Sequence, residues 1–337
     1  MKSAAFFEAV QNFVPGDTLA EVSAIVADVE KALVAQVGSD VASVQGSAEQ
    51  TLLGGGKRLR PALAAMSARA VGRSYDRASV VQLGAALEMI HMATLIHDDV
   101  IDGADTRRGH PTSGAVYGNT AAILSGDVLL AKAMMLLAES GDVGIIQMVS
   151  RAVVEMAEGE VRELECRGDF ELSEQEHMRI MRMKTAAFIE CCCRAGCMLA
   201  GGTSRQEEAL GAYGRHLGLA FQIVDDLLDF QGDGAKTGKG LATDFREGQA
   251  TLPLIYLVPR LSEDEAAFAR QRFGDGATDE EMRKLSEWMS RTGAYDAAAD
   301  RASSFAASAI EGLSALADTD DRRLLETVAK FVVEREA

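Results

Sequence analysis

Two stretches of this 337-residue chain carry carboxylates in one repeated pattern. The first reads Leu95-Ile96-His97-Asp98-Asp99-Val100-Ile101-Asp102, the second Phe221-Gln222-Ile223-Val224-Asp225-Asp226-Leu227-Leu228-Asp229. Each is DDxxD among apolar residues. On a helix, positions i and i+4 share a face, so Asp98 stacks with Asp102 and Asp225 with Asp229. Carboxylates this close repel one another and are costly among Leu, Ile, Val and Phe unless water or a cation neutralises them. One such cluster reads equally well as a solvated acidic face. Two copies favour bound cations. Oxygen-only ligands select hard ions, magnesium or manganese over zinc. Magnesium takes one or two carboxylates, waters and phosphate oxygens, so two acidic helices facing each other across a cleft would bridge to a diphosphate.

Cations to complete such a site follow nearby. Arg107 and Arg108 stand just past Asp102 on a glycine-bounded loop, suited to clamping phosphate with guanidinium forks. Lys57, Arg58 and Arg60 follow Gly54-Gly55-Gly56, where the backbone can approach an anion closely. Lys184-Thr185 and Lys239 add further cationic positions, and His91 lies two helical turns before Asp98 on nearly the same face.

The elements that position these residues are helical. Periodicity predicts helices over about 17–37, 40–52, 58–72, 76–103, 119–138, 142–166, 173–201 and 204–231, with shorter ones near 251–259, 262–272, 278–291, 293–315 and 319–335. Ser173 with Glu176 reads as a capping box and Gly201-Gly202 as a helix stop. The expected architecture is all-α, a single unit of long helices over residues 1–337. Three stretches rich in glycine and basic residues break it, at 54–61, 103–118 and 231–248.

A net charge of −17 argues against a broad basic face for nucleic acid or an anionic membrane. No run of 18 uninterrupted apolar residues implies a transmembrane helix, and the first residues, with Glu8, do not read as a signal peptide. Cys166, Cys191, Cys192, Cys193 and Cys197 are expected to be small free thiols in a reducing cytoplasm.

Taken in order, GGKRLRP at 55–61, EMIHMATLIHDDVID at 88–102, RRG at 107–109, GD at 126–127, KT at 184–185, FQIVDDLLD at 221–229, GK at 238–239 and TLPL at 251–254 resemble the trans-isoprenyl diphosphate synthase (polyprenyl synthetase) family. The resemblance implies an all-α bundle around a central cavity, usually a homodimer, that condenses isopentenyl diphosphate with an allylic diphosphate using Mg2+, with Mn2+ as a substitute. It assigns the metal to Asp98, Asp99, Asp102, Asp225, Asp226 and Asp229. It assigns the allylic diphosphate to Arg107, Lys184, Thr185, Gln222 and Lys239, with Lys184 and Lys239 counted among the catalytic residues, and isopentenyl diphosphate to Lys57, Arg60, His91 and Arg108. Gln249 stands where the family often has lysine, which would weaken one phosphate contact. Ala242 stands where glycine is common.

Ala93 and Thr94, five and four positions before Asp98, are small, where relatives making short products often carry an aromatic. The product is therefore expected to exceed C20, in the range C30–C50 of a quinone side chain, with Met134 as a deeper floor. Alternatives are a shorter-chain farnesyl or geranylgeranyl synthase, a non-catalytic subunit of a heteromeric synthase, a terpene cyclase, and a di-iron bundle built on Glu88/His91 and Glu174/His177.

Overall fold

A computed structural model describes residues 16–231 and 242–334, and these are almost entirely helical. In order, the elements are α1 (Gly16–Gln36), α2 (Ala42–Leu53), α3 (Leu59–Ala70), α4 (Arg77–Ile101), the two-residue strands β1 (Thr106–Arg107) and β2 (His110–Pro111), α5 (Ser113–Tyr117), α6 (Asn119–Ser140), α7 (Val143–Cys166) and α8 (Glu174–Met181). A π-helical segment, Arg182–Ala186, joins α8 to α9 (Ala187–Leu199). There follow α10 (Ser204–Gln231), α11 (Thr243–Arg246), α12 (Leu252–Leu257), α13 (Glu263–Arg272), α14 (Asp279–Thr292), α15 (Ala294–Gly312) and α16 (Asp320–Glu334). Lys239 lies outside the described residues.

The chain forms two compact units. One comprises Met1–Arg151, Cys191–Gly211 and Leu313–Val328. Here α4 packs against α6, α3 and α1. α1 buries Val22, Ile25, Val26, Val29 and Leu33 at helical spacing, and α3 answers with small residues, Ala62, Ala64, Ala65 and Ala68. Small side chains let backbones approach. A Cβ on Gly196 would strike the Ala64 backbone, and one on Gly84 would come within 2.9 Å of Val29.

The other unit comprises Ala152–Glu190, Ala212–Gly312 and Ala329–Ala337. Its core gathers Phe170, Ile223, Phe230, Phe245, Leu285 and Trp288. Phe273 meets Phe170 and Phe245 edge-on, at 5.5 and 5.3 Å between ring centres. Capping boxes start α13 at Ser262/Glu265 and α14 at Thr278/Glu281. At α8 the expected box is half built. Ser173 Oγ accepts from the Glu176 N–H, but the Glu176 carboxylate is taken by Arg162 at 2.6 Å.

α4 and α6 are long and apolar enough, by length and composition alone, to cross a membrane, a test that core helices of globular proteins also pass. Two-thirds of the apolar window of α4 (67%) is buried inside the protein, against 39% for α6. All five cysteines are free; Cys191, Cys192, Cys193 and Cys197 are buried and Cys166 partly so. Burial pushes the Cys197 thiol up to about 11 and Cys192 well above its ordinary value, so neither is a ready thiolate.

Candidate active site

In the first unit the acidic motif closes α4. Asp76 caps the start of this helix by accepting from the N–H groups of Ala78 and Ser79, and the motif occupies its last turn, with the Asp102 N–H donating to the Asp98 carbonyl at 2.8 Å. Asp98 is partly buried, Asp102 exposed and Asp99 buried. The β1–β2 hairpin then turns back, and Arg107 Nε donates to Asp99 Oδ1 at 2.5 Å. Arg108 holds the left-handed conformation, φ 52°, and donates to the Gly55 carbonyl, joining the hairpin to the glycine-rich loop. A small cavity of about 30 Å³ lies there, lined by Asp99, Arg107, Arg108, Gly54 and Gly55 among others. A larger groove of about 690 Å³, lined in part by Asp28, Arg77, Gln82 and Glu139, includes none of these residues.

The basic loop before α3 divides its cations. Lys57 is exposed. Arg58, in the left-handed region at φ 48°, turns inward and donates to Glu88 Oε1 at 2.8 Å. With only 6% and 3% of these side chains exposed, the pair fastens the loop to α4 instead of meeting a ligand. Glu88 is thereby committed to Arg58, not to a metal shared with His91. Burial lowers the Arg60 pKa, while Cys192, then Glu88 and least of all Asp98 act against that shift. Burial first, then Arg60, Arg108, Arg107 and Arg58, hold His91 well below the usual imidazole range. It is neutral at pH 7 and offers one N–H.

In the second unit the motif lies on α10. Asp225 and Asp229 are partly buried, and Asp229 Oδ2 accepts from the Asp244 N–H at 3.1 Å at the start of α11. Asp226 is buried. Its Oδ2 is 3.1 Å from His177 Nε2 and its Oδ1 accepts from Gln222 Nε2 at 3.3 Å. Gln222 Oε1 in turn accepts from Thr185 Oγ1 at 3.1 Å. Glu174 sits 3.2 Å from Arg301, so Glu174 and His177 have separate partners and build no shared metal site.

Lys184 and Thr185 lie in the π-helical segment, a geometry frequent at functional sites. Glycines grip it from two helices. A Cβ on Gly159 of α7 would come within 2.7 Å of the Lys184 backbone nitrogen, and one on Gly218 of α10 within 2.7 Å of Ala186 Cα. Lys184 Nζ contacts Glu160 at 2.8 Å and Glu163 at 2.5 Å. Burial opposes its charge, but the two glutamates outweigh burial and raise the ammonium above its ordinary range.

Among the described residues, no three His, Cys, Asp or Glu side chains form a ready cage for a metal ion. The donors fit magnesium nonetheless, because that ion needs only one or two carboxylates and fills its octahedron with water and phosphate. The middle aspartates hold Arg107 and His177, while Asp98/Asp102 and Asp225/Asp229 lie one helical turn apart on one face, a spacing that suits a shared ion. Sequence reasoning missed Arg58–Glu88, the Glu160/Glu163 pair on Lys184, His177 on Asp226, and Gly159 and Gly218. A glycine inside a strong helical pattern such as 142–166 was the one available signal.

The polyprenyl synthetase family model matches residues 41–289. The chain is 37% identical over 310 residues to octaprenyl diphosphate synthase of Escherichia coli, covering 92% of this chain and 95% of that one. It is 36% identical over 281 residues to nonaprenyl diphosphate synthase of Mycobacterium tuberculosis, covering 83% of each. A crystal structure of polyprenyl synthase from Caulobacter crescentus, complexed with calcium and isoprenyl diphosphate, superposes with a TM-score of 0.90 at 37% identity, covering 96% of this chain and 99% of that one.

Proposed function

This chain belongs to the polyprenyl synthetase family and is a long-chain trans-prenyltransferase, and on that premise we propose a magnesium-dependent condensation of isopentenyl diphosphate with an allylic diphosphate, carried by the residues of both acidic motifs. Asp98 and Asp102 hold metal on α4, and Asp225 with Asp229 on α10. Magnesium bound there supplies positive charge that neutralises the departing diphosphate. Arg107, Lys184, Gln222 and Lys239 bind the allylic diphosphate. Lys57, Arg60, His91 and Arg108 bind isopentenyl diphosphate, His91 as a neutral donor.

These cations stabilise charge as the allylic C–O bond breaks. The double bond of isopentenyl diphosphate supplies the electron pair for the new C–C bond, and a proton then leaves for the released diphosphate. The reading draws most support from one observation: the middle aspartate of the first motif holds Arg107, an anion-binding side chain, beside its two outer aspartates.

The product exceeds C20, since Ala93 and Thr94 present no bulk before Asp98. α4 is a core helix, and α6 a half-exposed one, of a cytoplasmic enzyme. A second copy of the chain covers the apolar stripe of α6, where Leu124 is 56% and Met135 65% exposed, with Val128 and Ala131 between them at helical spacing. Radiolabelled isopentenyl diphosphate and a series of allylic primers test the reaction. Polyprenyl products that appear only with a divalent metal support it, and metal-independent or absent elongation refutes it. Light scattering of wild type and Met135→Glu tests the dimer; equal masses would end that part of the reading.

A further inference from the structure

His177 takes no part in the assignments above, yet it is 6% exposed and faces a carboxylate in the second unit. A buried imidazole beside a buried aspartate needs a reason. The hydrogen bonds give one, because their donors and acceptors can be arranged in only one way. An ionised carboxylate accepts and never donates. His177 Nε2 must therefore carry the proton it shares with Asp226 Oδ2. For the same reason Gln222 must turn its NH2, not its carbonyl, toward Asp226 Oδ1. That choice sends Gln222 Oε1 to Thr185 and consumes the single hydroxyl proton of Thr185.

Two consequences follow for anion binding. Diphosphate oxygens are acceptors, and Thr185 in this arrangement has only lone pairs left to offer. It meets a diphosphate only through a donor such as a metal-bound water. Gln222 uses one of its two amide N–H groups on Asp226 and keeps the second for the diphosphate. If the amide turned over, that N–H would be lost and a carbonyl would face Asp226.

We propose, resting on the reaction assigned above, that His177 is a positioning residue of the allylic-diphosphate subsite: through Asp226 it fixes the Gln222 amide, so that Asp226 is an anchor and not a metal ligand. α8 brings His177 to this place by its first turn, where the His177 N–H donates to the Ser173 carbonyl at 3.0 Å.

The test compares wild type with His177→Phe, which fills similar space without a donor, and His177→Gln, which restores an N–H. His177→Phe should raise the KM for the allylic diphosphate about tenfold, the effect of losing one hydrogen bond to a charged group. The KM for isopentenyl diphosphate and the Mg2+ concentration for half-maximal rate should stay within about twofold of wild type, since neither depends on the Gln222 amide. His177→Gln should recover most of the loss. Asp226→Asn should behave like His177→Phe and serves if that variant does not fold. Asp225→Asn should instead shift the Mg2+ requirement.

The idea is overturned by an unchanged allylic KM in His177→Phe, by an equal rise in both KM values, or by a Mg2+ requirement that moves with Asp226→Asn as it does with Asp225→Asn. A readout without turnover separates it from the reaction itself. In the 15N-histidine-labelled full chain, His177 Nε2 should carry a hydrogen-bonded proton and lose that signature in Asp226→Ala, which removes the acceptor. A wild type that elongates no primer would refute the functional reading, while this signature would still decide whether the hydrogen-bond chain exists.

Discussion

Arg107 Nε donates to Asp99 Oδ1 at 2.5 Å, an arrangement matched in the other unit by His177 Nε2 and Asp226 Oδ2 at 3.1 Å. In both motifs the middle carboxylate is the buried one of the three and holds a donor from another element, which is the basis for the division of roles proposed above.

That division predicts unequal phenotypes within one motif. Asp98→Asn or Asp102→Asn should lower kcat about 10²–10³-fold, the scale for losing one electrostatic stabiliser of a transition state, and raise the Mg2+ requirement. Asp99→Asn should leave the Mg2+ requirement near wild type and raise the allylic KM, because Arg107 loses its orienting charge. Kinetics at varied Mg2+ distinguish them, and equal shifts for all three variants would refute the division.

The grip on the π-helical segment predicts sensitivity at residues remote from any charge. Gly159→Ala would set a methyl within 2.7 Å of the Lys184 backbone nitrogen, where no flexible side chain can yield. Overpacking of this kind costs about 1–3 kcal/mol. The variant should unfold at lower temperature and bind the allylic diphosphate more weakly, as Lys184 and Thr185 move. A Gly159→Ala enzyme with wild-type melting and KM would show that the segment is pliant.

Much of this was legible in sequence, for identifiable reasons. The bounds of α4, α6, α7 and α10 match the periodic segments within a few residues, because their apolar stripes and glycine stops are local signals. The stretch expected as one helix over 173–201 is interrupted at Arg182–Ala186, since a π segment is set by the approach of Gly159 and Gly218 from distant parts of the chain. α5 and the two-residue hairpin were missed for the same reason: Thr112 Oγ1 ties the hairpin to the Ala104 carbonyl, a bond that no periodicity announces. The acidic motifs and cations were legible as types. That His177 faces Asp226, and that Arg58 faces Glu88, depends on burial that spacing does not encode.

His91 predicts a pH dependence of stability. Burial and the surrounding arginines keep it neutral in the folded chain, whereas in the unfolded chain it takes up a proton near its ordinary pKa of about 6.5. Below that pH the unfolded state binds more protons, so the contribution is complete above about 6.5 and is lost as pH falls beneath it. The melting temperature of wild type should fall more steeply with acidification than that of His91→Asn. Parallel curves for the two proteins would refute the assignment.

Ala242 occupies the left-handed region at φ 52° and is fully buried at the start of α11. Left-handed backbone costs an alanine about 1–2 kcal/mol that glycine avoids. Ala242→Gly should therefore stabilise the chain by a fraction of that amount, because glycine also gains freedom in the unfolded state. Denaturant midpoints check the sign, and a lower midpoint for the variant would mean that the lost methyl contact outweighs the relieved backbone.

Chain length should respond to bulk on α4, with Thr94 and Ala93 behaving differently. Thr94 is only partly buried, and its hydroxyl folds back onto the His91 carbonyl at 2.9 Å, so an aromatic ring there has room to project. Ala93 is 2% exposed, and a larger side chain must displace packed neighbours at about 1–3 kcal/mol. Thr94→Phe should therefore shorten the product while the protein melts near wild type, and Ala93→Tyr should shorten it at a cost in melting temperature. Each extra isoprene unit must pass the same point on α4, so the block should act as a cut-off in length, not as a uniform slowing of every step. Chromatography of labelled products resolves the two. A Thr94→Phe enzyme that still makes the wild-type length distribution would place the length-limiting surface on another element, and Met134 on α6 would then be the residue to enlarge.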